Sequence, residues 1–136
     1  MRHCKECQVV LGKRHQIDFC SNKCQNNLRF KDYIDKWKRG LVDGNKGINT
    51  RNISGYIKKY LLVKFGTKCS QCGWSKLHPI RNVVPLEIDH IDGDAENNSE
   101  RNLRLLCPNC HSLTPYFRNM NKGKGRKWRK DKYIKN

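Results

Sequence analysis

Apolar residues recur at helical spacing in two stretches of the chain. The first predicts an amphipathic helix that Ser21 caps and that continues to about Lys38, with a basic outer face. The second predicts a helix over 53–65, which Ser54 or Asn52 can cap and which the glycine that follows can end. The simplest role for the second helix is to cover the short elements that come after it.

The C-terminal half of the chain has a different pattern. The run at 83–91 predicts a strand that a proline interrupts early, and 102–106 predicts a second, short strand beyond a polar loop at 92–101. Pro108 suits the first position of a helix, and Pro115 should end or kink that helix. The order of elements therefore predicts an α+β fold with a hairpin followed by a helix.

Composition indicates that this fold needs reinforcement. The chain has 136 residues, of which 36% are hydrophobic and 30% are charged, so it forms one small domain or two very small ones. Chains of this kind usually depend on disulfides or structural metal. No apolar stretch follows Met1, so the sequence predicts neither a signal peptide nor a membrane helix. We therefore expect an intracellular protein whose thiols are reduced.

Charge indicates the class of partner. The formal net charge is +17, which favours a polyanion, and nucleic acid is the usual one. Six of the 12 acidic residues nevertheless fall between positions 87 and 100, where they would repel that partner unless a divalent cation lay among them. The segment 118–136 holds nine Lys and Arg residues and one acid, which predicts a cationic arm that is disordered or ordered by DNA.

The spacing of the cysteines predicts structural metal sites that would stabilise this fold. The eight cysteines form four close pairs, and two pairs at a time can make a closed tetrahedral zinc site. We predict one structural zinc in each half of the chain, held by Cys4, Cys7, Cys20 and Cys24 and by Cys69, Cys72, Cys107 and Cys110. Gly73 is expected to provide the tight turn after the third pair.

The residues set among the second group of cysteines resemble a known family. Asp89-His90, Asn102 and His111 resemble the HNH endonucleases, which have a ββα-metal fold, and the resemblance covers about 66–120. It implies one divalent ion, Mg²⁺ or Mn²⁺, between the hairpin and the helix, and cleavage of a DNA phosphodiester. The N-terminal four-cysteine module resembles a small zinc ribbon or treble clef.

The resemblance also implies a role for each site residue. His90 would be the general base, since a neutral imidazole suits that task at neutral pH. Asp89 and His111 would bind the catalytic ion, and Asn102 would hold the strand that carries His90. Some members of the family have a further histidine ligand four residues after the last one, but Pro115 stands there, so we expect two protein ligands. The expected nucleic-acid contacts are Arg101, Arg104, Arg118, Lys122, Lys124, Arg126 and Lys127.

The predicted organisation has four parts. A zinc module with its helix occupies 1–38, a Gly- and Asn-rich linker 39–52, the HNH core 53–120 and a basic tail 121–136. The predicted activity is nicking or cleavage of DNA, with a zinc-dependent binding protein that does not cut as the main alternative. Target sequence, oligomeric state and the choice between one-strand and two-strand cleavage stay open, as does the biological role in a bacterium or a phage-infected host.

Overall fold

In a computed structural model, the chain divides into two compact units, Met1–Val42 and Asp43–Asn136. The structure describes residues 1–46 and 52–120. Among those residues, no helix is both long enough and apolar enough to cross a membrane.

The N-terminal unit consists of a cysteine-bearing loop and one helix, α1 (Asn22–Lys38). Ser21 is the N-cap, and its hydroxyl accepts a hydrogen bond from the backbone N–H of Cys24, as the sequence predicted. Ile34 and Trp37 are the buried residues of this helix. The helix therefore has one packed side, in agreement with the predicted amphipathic pattern.

The second unit begins earlier than the predicted core. Asn45 forms an isolated β-bridge with Ile53, and the Ser54 N–H donates a hydrogen bond of 2.8 Å to the Gly44 carbonyl. Residues 43–45, which were predicted to belong to a linker, therefore fold with this unit. Because Ile53 pairs in that bridge, helix α2 (Gly55–Phe65) starts two residues later than predicted, with Ser54 as its N-cap.

A two-stranded antiparallel sheet and a short helix follow. Strand β1 (Glu87–His90) pairs with β2 (Leu103–Leu106), and α3 (Pro108–Ser112) contacts both strands. Both strands are shorter than predicted. Pro85 cannot donate to a ladder, so pairing starts only at Glu87, and the three residues before β2 form a 3₁₀ turn. Pro108 is the first residue of α3, as predicted.

The core of the second unit is small and lies around α2 and β2. Its largest fully buried side chains are those of Ile57 and Leu61 on α2 and of Leu105 and Leu106 on β2. At the surface, Glu100 in the 3₁₀ turn accepts hydrogen bonds from the Tyr60 hydroxyl at 2.8 Å and from a neighbouring lysine. These bonds connect helix α2 to the turn that precedes β2.

Candidate active site and metal centres

Each unit contains one cluster of four cysteine thiols. In both clusters the four Sγ atoms lie within 4.8 Å of one another. The Sγ atoms of Cys7 and Cys20 lie 3.6 Å apart, and those of Cys72 and Cys107 lie 3.8 Å apart. Tetrahedral zinc with Zn–S bonds of about 2.3 Å requires sulfur atoms about 3.8 Å apart. The geometry therefore fits the two predicted zinc sites, with the cysteines grouped as predicted.

The first pair of each cluster lies in the same kind of turn. In each turn the N–H of the residue after the second cysteine donates a hydrogen bond to the carbonyl of the first cysteine. These bonds run from Gln8 to Cys4 and from Gly73 to Cys69, and each has a length of 3.0 Å. Both Gln8 and Gly73 have positive φ, of 62° and 77°. This confirms the tight turn expected at Gly73 and shows that Gln8 makes the equivalent turn without being glycine. The second turn is joined to β2 by a hydrogen bond from the Ser70 N–H to the Leu105 carbonyl.

The thiols of each cluster ionise unequally, which favours a bound cation. Burial alone would raise the pKa of Cys69, but backbone N–H groups, first that of Cys107, lower it to about 6. Hydrogen bonding to the Cys107 thiol raises the pKa of Cys110 to about 12. In the first cluster the backbone N–H of Cys7 is the main cause that lowers the pKa of Cys4 to about 6. In each cluster one thiolate therefore forms easily while a neighbouring thiol with a raised pKa, Cys24 or Cys110, resists ionisation, a conflict that a divalent ion removes.

Asp89, His111 and Glu87 form a cluster between β1 and α3. Asp89 is buried, and its Oδ1 lies 3.8 Å from Nε2 of His111. The other ring nitrogen of His111, Nδ1, contacts the carboxylate of Glu87. A carboxylate at Nδ1 favours the tautomer in which Nε2 carries a lone pair for a metal. The ring is further held by Phe117, whose centroid lies 5.4 Å away in an edge-on arrangement.

Two donor atoms bound to one ion at about 2.1 Å lie between about 3.0 and 4.2 Å apart. The 3.8 Å between Asp89 and His111 falls in that interval. The two residues predicted to bind the catalytic ion therefore lie close enough together to share one ion, and their binding of it stays a prediction.

Arg104 belongs to the same cluster. It lies opposite Asp89 in the sheet register, and its Nε donates a hydrogen bond of 2.7 Å to Asp89 Oδ2. Its neighbours along β2, Leu103 and Leu105, are buried, so Arg104 points away from the apolar side of the strand and toward the acidic cluster. Its contact with a phosphate stays a prediction.

His90, the next residue of β1, belongs to a second group of contacts. Its Nε2 lies 2.8 Å from Oδ1 of Asn98, which is buried. The two groups of contacts meet at β1, where Asp89 and His90 are consecutive.

Asn102 holds the loop between the strands. Its Oδ1 accepts from the Asp92 N–H, and its Nδ2 donates to Asp92 Oδ1 at 2.9 Å and to the Asn97 carbonyl at 2.8 Å. Its own carbonyl accepts from the Ile91 N–H, directly after His90. These bonds agree with the expected supporting role. Burial would raise the pKa of Asp92, but hydrogen bonds, first from Asn97, lower it.

The ring of Tyr116 packs closely against Gly93 in the same loop between the strands. Gly93 has φ of 76°, and a Cβ there would lie 2.5 Å from Cγ of Tyr116. Only glycine fits both the backbone conformation and the contact.

Three of the predicted nucleic-acid contacts, Arg101, Arg104 and Arg118, lie among the described residues. Arg101 and Arg118 are exposed, and the guanidinium of Arg118 lies 5.0 Å from the centre of the Phe117 ring. The four tail residues predicted to bind nucleic acid lie outside the described residues; they are Lys122, Lys124, Arg126 and Lys127.

Sequence reasoning missed Glu87 and Asn98. Glu87 could have been found, because it stands two residues before Asp89 and a strand places such residues on the same face. Asn98 could not, because its other partners are Asp43 and Asn45, more than 50 residues earlier in the chain.

Comparison with known proteins points to one family. The family model of the HNH endonuclease matches residues 69–114, a range that includes the second cysteine cluster, β1, β2 and α3. A curated relative, the H-N-H endonuclease F-TflIV of Escherichia phage T5, is 40% identical over 79 residues, which are 56% of this chain. The chain spans about a third of that relative, since the aligned part is 34% of its length. No solved structure matches the chain.

Proposed function

We propose that the chain is a metal-dependent endonuclease that hydrolyses phosphodiester bonds in DNA, because residues 69–114 match the family model of the HNH endonuclease. The observation that carries the proposal is the pairing of Asp89 with His111 at 3.8 Å, with Glu87 on the far nitrogen of the imidazole. A zinc-stabilised binding module has no use for a buried carboxylate and a carboxylate-oriented imidazole that converge in this way.

Asp89 and His111 would hold one divalent ion, Mg²⁺ or Mn²⁺. Carboxylate oxygen and imidazole nitrogen are suitable donors for these ions, and two protein ligands leave coordination positions for water and for a phosphate oxygen. Glu87 accepts the Nδ1 proton of His111 and so keeps the ring turned toward Asp89. When bound, the ion supplies Lewis-acid stabilisation of the charge that develops on the phosphate and on the departing oxygen.

His90 acts as the general base. It takes a proton from water as the water oxygen forms a bond to phosphorus. The bond from phosphorus to the 3′ oxygen breaks, and that oxygen takes up a proton from solvent, which leaves 5′-phosphate and 3′-hydroxyl ends. Asn102 has a supporting role, because its side chain and its carbonyl tie the loop after His90 to the start of β2. The guanidinium of Arg104 contacts the phosphate from the side of Asp89.

The two four-cysteine sites hold structural zinc. In the second unit zinc joins the turn at Cys69 and Cys72 to the start of α3, the helix that carries His111. Thiolates of this kind persist in a reducing compartment, so an intracellular location is part of the proposal.

The test is a plasmid-nicking assay with wild-type protein and with His90→Ala. Supercoiled DNA is incubated in EDTA, Mg²⁺, Mn²⁺ or Zn²⁺, and His15→Ala, which changes an exposed histidine of the N-terminal unit, serves as the control. We expect metal-dependent nicking by wild type and His15→Ala, and a loss of about 100-fold or more in His90→Ala. Tight DNA binding without cleavage in any metal would establish the non-cutting alternative instead.

A further inference from the structure

The orientation of the His90 ring depends on a buried asparagine outside the H, N and H positions of the family. Asn98 is only 5% exposed, and its Oδ1 lies 2.8 Å from His90 Nε2. On its other side, Nδ2 lies 3.0 Å from the Asp43 carbonyl oxygen and 3.1 Å from Oδ1 of Asn45. The amide therefore spans the space between the imidazole and the first residues of the second unit.

The chemistry of these partners decides where each proton lies. A backbone carbonyl can only accept, so the group of Asn98 that faces Asp43 must be the NH₂ and not the oxygen. The oxygen then faces His90, and an oxygen can only accept as well. His90 must consequently donate from Nε2, and in the neutral imidazole the lone pair lies on Nδ1.

We propose that Asn98 is a positioning residue for His90, which it fixes in the Nε2–H tautomer so that Nδ1 accepts the proton of the attacking water. The assignment of Nδ1 as the basic atom rests on the proposed function. The fixed tautomer itself does not. Partners that orient an imidazole through its second nitrogen commonly change activity or affinity by about 10- to 100-fold when removed.

The asparagine is itself held by a segment outside the 69–114 range of the family model. Gly44, between the two residues that Asn98 contacts, has φ of 80°. A Cβ on Gly44 would lie 2.9 Å from Cβ of Asn98 and 2.8 Å from Cδ1 of Ile57. The Gly44 carbonyl is in turn bound by the N-cap of α2, since it accepts from the Ser54 N–H. The start of the second unit thus serves as a support for the general base.

The tautomer can be observed directly by NMR. Zinc-loaded, ¹⁵N-histidine-labelled protein is studied without divalent catalytic metal, at a pH where imidazoles are neutral, and His90→Ala assigns the His90 signals. We expect a single Nε2–H tautomer with a slowly exchanging ring proton. A wild-type signal with the proton on Nδ1, or one that averages both tautomers, would overturn the inference even if no Asn98 variant folded.

Substitutions then separate orientation from loop stability. Asn98→Ala should give averaged tautomers and fast exchange of the ring proton, whereas Asn98→Asp, which keeps an acceptor oxygen, should retain the Nε2 proton. Asn97→Ala is the matched control, because Asn97 lies in the same loop but contacts Asp92. It should keep the wild-type tautomer even where it lowers the melting temperature. An unchanged spectrum in Asn98→Ala would reduce Asn98 to a structural residue.

Kinetics connects the tautomer to catalysis. In single-turnover nicking, Asn98→Ala should lower the maximal rate by about 10- to 100-fold, while the dissociation constant for DNA in EDTA changes by less than about twofold. A wild-type protein that does not nick would refute the proposed function and leave the NMR result intact. A wild type that nicks, with Asn98→Ala equally fast, would refute the inference alone.

Discussion

Glu87 illustrates how one side chain can shape the proposed metal site without binding the metal. Its carboxylate contacts Nδ1 of His111, which leaves Nε2 to face Asp89 at 3.8 Å. Without this partner the ring could rotate or change tautomer, and each binding event would carry the cost of fixing it again. The proximity of Asp89 and His111 therefore depends on a third residue that no spacing rule of the family requires.

Replacing Glu87 tests this dependence. Glu87→Ala should weaken Mn²⁺ binding to the zinc-loaded protein by about 10- to 100-fold, measured by isothermal titration calorimetry, because His111 loses its orienting acceptor. Glu96→Ala is the control, since Glu96 is an exposed acid of the same acidic run. Equal reductions in the two variants would show that the net negative charge of the run, and not the contact with His111, determines affinity.

The secondary-structure elements are too short to be stable alone. The strands have four residues each and α3 has five, and an isolated two-stranded sheet is marginal in water. The second cysteine cluster joins these elements, because its ligands lie on the turn hydrogen-bonded to β2 and at the start of α3. Metal binding and folding of the second unit should consequently be one event.

Two exposed cysteines provide a matched test. Cys72→Ser and Cys7→Ser each remove one ligand from one cluster and disturb no packed side chain. We expect each variant to lose one of two zinc ions in a colorimetric assay. Cys72→Ser should also lose nicking and most of the cooperative unfolding of the second unit, since structural zinc contributes on the order of 10 kcal/mol. Two retained zinc ions in Cys72→Ser would contradict the grouping of the ligands.

Local signals explain why the elements could be predicted from the sequence. Ser21 and Ser54 cap their helices, and Pro108 starts α3, because a cap or a proline acts within one turn of its own position. The cysteine grouping could likewise be read from spacing. What could not be read were contacts at long range, such as those of Asn98 with Asp43 and Asn45. These depend on which strand or loop arrives opposite, and no local pattern encodes that.

At the scale of the whole molecule, charge is divided between binding and chemistry. The chain has 29 Lys and Arg residues against 12 Asp and Glu, yet half of the acids lie within 87–100. A polyanion is attracted to the chain as a whole and repelled by the segment that would cut it. A bound divalent ion and Arg104, which pairs with Asp89, both reduce this repulsion where the phosphate must approach.

Affinity for DNA should therefore be strongly dependent on salt, with part of that dependence due to the basic tail. Replacing Lys122, Lys124, Arg126 and Lys127 by Gln should reduce the slope of log K against log salt concentration by about 0.9 for each phosphate that is no longer neutralised, and so by up to about 3.6. The slope is measured by fluorescence anisotropy on a short duplex in EDTA, so that cleavage cannot interfere. The control exchanges Lys and Arg at the same four positions and should keep the wild-type slope, because the charge is unchanged. A Gln variant with an unchanged slope would mean that the tail does not bind the DNA backbone, and would assign the salt dependence to the basic residues of the folded units.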